Sequence, residues 1–288
     1  MTGLFKRYPS LIGFIALITW SFSALFGSMM NNIPIFEMLS IIFFVSFLSI
    51  LGKVSLCHEW YKLKQPLIMT IAGIAGIYGN DFFYFEAFKY APATQVDLIN
   101  YLWPVLVMLL SGVLSKEKMA TYQKFGCLVS FFGVYVLIAY DATMPFKQSF
   151  LHGYVYALID ALIWALYVLM CRRYKELHSE MVGVYCFVGM VLSLCAHTVA
   201  ETFVSPSLYQ WLIMVAIGIF SQGMAYVLWE KGIKKGNFAL LTTCSYFTPI
   251  LSIAVLIIFS KAHYSHTLLI ATLLVTSGAL ITNHTQRK

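Results

Sequence analysis

The stretch Asn100-Tyr101-Leu102-Trp103-Pro104 returns as Ser245-Tyr246-Phe247-Thr248-Pro249, 145 residues further along a chain of 288. The same offset sets Gly73 on Gly218, Lys89 on Lys234, Ser115 on Ser260, Lys116 on Lys261 and Gly133 on Gly278. One shift that holds for Tyr, Pro, Gly and Lys positions marks an internal duplication. It divides the chain into residues 1–144 and 145–288, each a copy of one unit.

The solvent of those units follows from composition. Hydrophobic residues make up 60% of the chain and charged residues 11%, and the mean hydropathy is +0.80. A water-soluble domain carries about 25% charge, so this chain has too little polar surface to face water and a lipid bilayer is its partner. The net charge of +7 comes from basic residues spread between apolar runs, which excludes a nucleic-acid surface. Cys57, Cys127, Cys171, Cys186, Cys195 and Cys244 form no CxxC pair, and the histidines form no HExxH. No metal or other cofactor is expected.

Apolar runs long enough to cross about 30 Å of hydrocarbon lie near 10–30, 35–52, 66–86, 92–114, 121–140, 152–171, 181–200, 208–230, 237–259 and 266–284. This predicts an all-α membrane protein of ten transmembrane helices. With the N-terminus cytoplasmic, every Lys and Arg of the 19 except Lys89, Lys147 and Lys261 falls on the cytoplasmic side. That is the positive-inside pattern, and it places both termini in the cytoplasm. Five spans per copy is an odd number, so the second five-helix repeat runs inverted to the first. Lys89 accordingly falls outside and its counterpart Lys234 inside. Inverted repeats allow outward-open and inward-open states to exchange at little cost, which is how secondary carriers work.

Only Pro104 and Pro249 lie inside spans. Each frees a backbone carbonyl and is expected to kink its helix beside a central cavity; a simple packing kink is the alternative. Helical spacing sets Asp97, Asn100, Tyr101 and Pro104 on one face of the fourth span, flanked by Trp103, and Thr242, Ser245, Tyr246 and Pro249 on one face of the ninth. The sixth span shows Tyr156, Asp160, Trp164 and Tyr167, the eighth Gln222, Tyr226 and Trp229, and the third Tyr78, Asp81 and Phe85. A charge in mid-membrane costs about 3 kcal/mol on insertion scales and faces the protein interior or a watery cavity. Asp160, eight residues into its span, is therefore a candidate for substrate binding and, with Asp81, for charge or proton coupling. Asp81 and Asp97 also fit a solvated structural carboxylate near a helix end. Glu37 and Glu230 read as boundary charges. Candidate substrate-binding residues are Asp97, Asn100, Tyr101, Trp103, Asp160, Trp164, Tyr226, Trp229, Ser245 and Tyr246.

Asn100 to Pro104, Ile163-Trp164-Ala165 with Tyr167, Ala225-Tyr226 with Trp229, Gly232, Gly236-Asn237 and Ser245 to Pro249 together resemble the EamA type of the drug/metabolite transporter superfamily. Within it the chain is most similar to bacterial aromatic amino acid exporters. The resemblance implies export or exchange of amino acids through a central cavity by alternating access, in a bacterial inner membrane, with Trp103 and Trp164 as cavity-lining positions. Asp97 and Asp160 depart from the family pattern, which has small neutral residues there. Acids at these positions favour a substrate with net positive charge, whose cation also rests on aromatic faces. S-adenosylmethionine, exchanged for S-adenosylhomocysteine, is the natural example of a ring-bearing, cationic amino-acid derivative. A membrane enzyme would need a clustered catalytic set such as HExxH or a GxS with a nearby His, and none is present. A channel has no need of inverted duplication with matched helix breaks.

Overall fold

Lipid offers no hydrogen bonds to an open backbone, so the chain satisfies its peptide groups within helices. The computed structural model describes residues 9–30, 32–115, 120–141 and 144–282, and no strand occurs among them. The helices are α1 (Pro9–Trp20), α2 (Ser23–Met29), α3 (Ile35–Leu56), α4 (Leu67–Ile74), α5 (Asn80–Tyr90), α6 (Ala93–Asn100), α7 (Trp103–Ser115) and α8 (Thr121–Tyr140). They continue as α9 (Leu151–Arg173), α10 (Val182–Ala200), α11 (Leu208–Ala216), α12 (Met224–Lys235), α13 (Phe238–Ser245), α14 (Thr248–Ile258) and α15 (His266–Thr282).

Eight helical stretches are long and apolar enough to cross a membrane. Two of the ten segments expected from sequence fall short of that standard. The described part of α15 has 17 residues, and Leu67–Tyr90 carries Asn80 and Asp81 at its centre, which lowers its hydropathy. Of the lysines and arginines used to orient the chain, Lys6, Arg7, Lys116, Lys118, Arg287 and Lys288 lie outside the described residues.

Several stretches are broken or bulged, and the breaks recur. α4 joins α5 through a π-turn at Ala75–Gly79, and α11 joins α12 through another at Ile217–Gly223. α6 gives way to α7 at Tyr101–Leu102, directly ahead of Trp103-Pro104. α13 gives way to α14 at Tyr246–Phe247, directly ahead of Thr248-Pro249. Each proline thus sits in the first turn of a restarted helix, where its missing N–H costs nothing. α1 breaks without a proline. The Thr19 and Ser21 hydroxyls donate back to Ala16 O and Leu17 O at 2.8 and 3.0 Å, and such back-bonding bends helices.

The heaviest packing joins early helices to late ones: α8 to α15, α3 to α10, α1 to α12 and α5 to α9. Small residues allow this closeness. A Cβ on Gly126 would stand 2.5 Å from Gly278 O, and one on Gly278 would stand 2.5 Å from Ser130 N. The Ser130 hydroxyl bridges the same crossing to Val275 O at 3.1 Å. At one end of the bundle, Lys53 and Lys231 donate to buried Glu180 at 2.6 and 2.7 Å. Glu230, expected as a boundary charge, is buried and pairs with Lys234 and Tyr167. Glu37 is buried too, accepting from Val204 N at 2.9 Å. Its own helix start is capped by Glu201, which accepts from Phe36 N and Glu37 N at 3.1 Å each.

The α8–α15 crossing yields a stability test. Gly278→Ala should cost roughly 1–3 kcal/mol through overpacking. Gly52→Ala, with open space around its Cβ, should be neutral or gain up to about 1 kcal/mol of helix propensity. Thermal unfolding of the two variants in detergent checks both signs.

Candidate functional site

The π-turn at Ala75–Gly79 inserts an extra residue into its helix and re-aims the side chains beyond it. Gly76 lets the Tyr167 ring lie on this turn, since a Cβ there would stand 2.5 Å from the ring. Asn80, Asp81 and Tyr84 on α5 are thereby turned inward, while Tyr78 packs against Phe43 instead. They meet Trp20 and Ser23 from the break of α1, Asn100, Tyr101 and Trp103 from the break of α6, Trp164 of α9, and Gln222 and Tyr226 around the second π-turn. These residues enclose a cavity of about 60 Å³. Helix breaks and π-turns supply most of its wall, where the backbone can redirect side chains out of a regular helical face.

Its tryptophans form a cage. Trp20 meets Trp164 edge-on at 5.4 Å and Trp229 at 5.4 Å. Trp103 meets Trp164 at 6.4 Å and Trp229 at 5.8 Å, again edge-on. Tyr226 lies 5.4 Å from Trp164 and 5.7 Å from Trp20. Aromatic pairs in these geometries contribute about 0.5–1.5 kcal/mol each beyond their burial. The Trp20 indole N–H is fixed by Ser221 O at 3.0 Å.

Three carboxylates stand in or behind this cage, and all three are buried. Asp160 accepts from the side-chain amides of Asn80 and Asn100. Asp81 Oδ1 accepts from the Tyr226 hydroxyl at 2.6 Å and from Gln222 Nε2 at 3.2 Å. Asp97 Oδ1 accepts from the Tyr84 hydroxyl at 3.1 Å. Every one of these donors is neutral. Among the described residues the cavity lining contains no Lys, Arg or His, and Asp81 Oδ2, Asp97 Oδ2 and Gln222 Oε1 are buried with no hydrogen-bond partner. A carboxylate held this way is offset by a proton or by a cation brought into the cavity. The solvated helix-end alternative for Asp81 and Asp97 does not apply to side chains this deeply buried.

Asp81, Asn100, Tyr101, Trp103, Trp164 and Tyr226 therefore line one cavity, with Asp160 directly behind its two asparagines. Asp97 lies one layer further, behind Tyr84, and Trp229 backs Trp20 and Trp103. Ser245 and Tyr246 are elsewhere. The Ser245 hydroxyl donates within its own helix to Thr242 O at 2.7 Å, and Tyr246 packs with Val105, Cys127 and Ala279. Trp20, Ser23, Asn80 and Tyr84 are cavity residues that helical spacing alone does not reveal. Trp20 has a sequence signal: Ala16-Leu17-Ile18 matches Ala161-Leu162-Ile163 at the offset of 145, and one extra residue, Thr19, sets Trp20 on Trp164 at 144.

The sequence profile of the EamA-like transporter family matches the chain twice, over residues 8–139 and 151–284. The aromatic amino acid exporter YddG of Ancylobacter novellus is 33% identical, over 96% of this chain and 97% of that protein. The exporter of the same name in Escherichia coli is 26% identical, over 96% and 97%. A solved crystal structure superposes with a TM-score of 0.77 at 33% identity, covering 95% of both chains.

The Asp81–Tyr226 bond can be tested without a substrate. Tyr226→Phe removes one of the two donors to Asp81 and leaves a buried acceptor short of a partner. It should cost about 1–3 kcal/mol, read as a lowered unfolding midpoint in detergent. An unchanged midpoint would mean that the bond contributes nothing.

Proposed function

The chain belongs to the EamA-like transporter family, and from that premise we propose that it is a secondary carrier moving amino acids or amino-acid-derived metabolites across a bacterial cytoplasmic membrane by alternating access. A transporter of this family is not an enzyme. The observation that carries the reading is the cage: aromatic faces for an apolar ring, and amide, hydroxyl and carboxylate groups for a polar end, meeting at mid-helix.

The architecture supports the same reading. Adding α15 and Leu67–Tyr90 to the eight qualifying stretches gives ten spans, five per family match. Two matches, two π-turns and two breaks ahead of a proline are what a duplicated unit would leave behind. In the proposed topology the repeats are inverted and both termini are cytoplasmic. Rocking of one repeat against the other then exposes the cage to either side.

A second reading of the substrate rests on charge. Among the described residues the three carboxylates have only neutral donors, and the lining holds no cation to receive a substrate carboxylate. A zwitterion whose own charges cancel gains little here, whereas a substrate with net positive charge is favoured by both acids and rings. S-adenosylmethionine has that charge, an aromatic base and an amino-acid end, with S-adenosylhomocysteine as its exchange partner.

Reconstituted protein should take up labelled substrate from a panel of tryptophan, phenylalanine, methionine, lysine and S-adenosylmethionine, accelerated by unlabelled substrate inside. Uptake of S-adenosylmethionine with strong trans-stimulation by S-adenosylhomocysteine establishes the cationic reading, and preference for neutral aromatic amino acids rejects it. Asp160→Asn should cut transport about tenfold or more, the equivalent of 1.4 kcal/mol, and flatten its pH profile. Wild-type rates at every pH would remove Asp160 from the mechanism.

A further inference from the structure

A second cavity, of about 250 Å³, lies at the end of the bundle away from Glu180 and its lysines. It continues the central one. Ser28 follows Ser23 along α2 and Phe88 follows Tyr84 along α5, so the new cavity stands roughly 6–8 Å further along both helices at 1.5 Å per residue. Between the two cavities lies one layer of aromatic rings. Phe88 meets Tyr84 edge-on at 4.8 Å and rests on Gly27, where a Cβ would stand 2.5 Å from its ring.

The lining of this second cavity differs in kind. It holds Lys261 and His263 on one wall and Asp141 on another, with Thr94 and the Phe88 ring beside them. The walls are held in place. Ser260 takes the left-handed conformation, φ 55°, uncommon for a residue with a side chain. The turn it makes brings Lys261 N and Ala262 N onto Leu256 O at 2.8 and 3.2 Å. Asp141 is buried and accepts from the Ser265 hydroxyl at 3.3 Å, and Met144 O accepts from Gln95 Nε2 at 3.0 Å. Lys261 makes no ion pair among the described residues, and its side chain is exposed. Lys261, Asp141 and Phe88 line one space, and between them they carry a cation, an anion and an aromatic ring, the chemistry that complements the three parts of an amino acid. The central cage offers acids and rings but no cation.

We propose that this cavity is a vestibular binding site for the amino-acid end of the substrate. Lys261 takes the substrate carboxylate, Asp141 the ammonium group, and the Phe88 ring the apolar side chain, before or after residence in the cage. The site rests on the amino-acid reading of the preceding subsection but is independent of which substrate is correct, because tryptophan and S-adenosylmethionine share that end. It also resolves the charge mismatch of the cage: the substrate carboxylate is read where a cation exists, outside the acidic centre.

Equilibrium dialysis of the full chain in detergent against labelled tryptophan and, separately, S-adenosylmethionine tests the site. The wild type should bind two equivalents of its substrate and Lys261→Gln one, while Lys261→Arg keeps two. Trp164→Ala should lose the other equivalent and retain the one that depends on Lys261. In proteoliposomes, Lys261→Gln should raise KM from that face about tenfold, more than it lowers the maximal rate. One equivalent in the wild type, left unchanged by Lys261→Gln, overturns the vestibular site while the carrier stands. Failure of the wild type to bind or transport either compound overturns the site and the amino-acid reading together.

Discussion

A helix already surrounded by hydrocarbon gains nothing from burying apolar side chains against another helix, so what holds it is close contact between backbones and the pairing of polar groups. The rest of this molecule depends on where those contacts fall. Gly126, Ser130, Gly133 and Gly278 bring α8 and α15 close enough for backbone-to-backbone contact, and the other large contacts also join an early helix to a late one. Trp20 and Trp164 can meet at 5.4 Å because α1 is held by α12 and α9 by α5. Polar pairs do the remaining work: Asn80 and Asn100 bind Asp160 from two helices, and Tyr226 binds Asp81 from a third. The cage is a property of the assembled bundle and of no single segment.

The two ends of the bundle are built differently. At one, Glu180 gathers Lys53 and Lys231, and the neighbouring Glu59 pairs with Lys62, which holds the Glu59 carboxyl below its usual range. Tyr185 lies on Gly73, where a Cβ would stand 2.1 Å from its ring, and Tyr167 lies on Gly76. Ion pairs and rings seated on glycines therefore close this end over the cage. At the other end the rings of Tyr84, which lines the cage, and Phe88, which lines a larger space, meet edge-on. Glu180 is buried and its lysines are partly so, and removing either lysine would leave its charge less compensated, so this end is tied by a network of ion pairs while the opposite end is closed by rings.

Helical periodicity brings Asp160 and Trp164 together because α9 presents one unbroken face, and it reaches Asn100, Tyr101 and Trp103 because their spacing survives the short break between α6 and α7. It fails where the backbone departs from 3.6 residues per turn. The stripe Tyr78, Asp81, Phe85 assumes an unbroken helix, but the π-turn at Ala75–Gly79 rotates the helix beyond it, and Asn80 and Tyr84 join Asp81 in its place. Ser245 and Tyr246 are drawn in by their likeness to Asn100 and Tyr101, yet likeness in sequence does not fix the direction of a side chain beside a helix break. Trp20 is hidden by a single residue of slip between the copies, since a search at one offset cannot register an offset of 144 in the first helix. Glu230 has Lys231 next to it in sequence, but on a helix the neighbour that faces it is four residues on, and Lys234 is the partner.

On the proposed repeat, several contacts at the centre join equivalent positions of the two copies. Ser130 bonds to Val275 and Asp81 to Tyr226, each pair 145 residues apart. Trp20 and Trp164, equivalent at the shorter offset, meet edge-on. A contact between equivalent positions must lie on the axis that relates them, so that axis runs through the cage. The scaffold there is nearly symmetric while its chemistry is not: Asp81 faces a tyrosine across the axis, Asp97 corresponds to Thr242, and Asp160 to Ile15. Under the proposed alternating access, exchange of the two copies' conformations would carry the cavity from one side to the other while the carboxylates stayed with the same helices. A cation bound to them would keep its partners while the path around it changed.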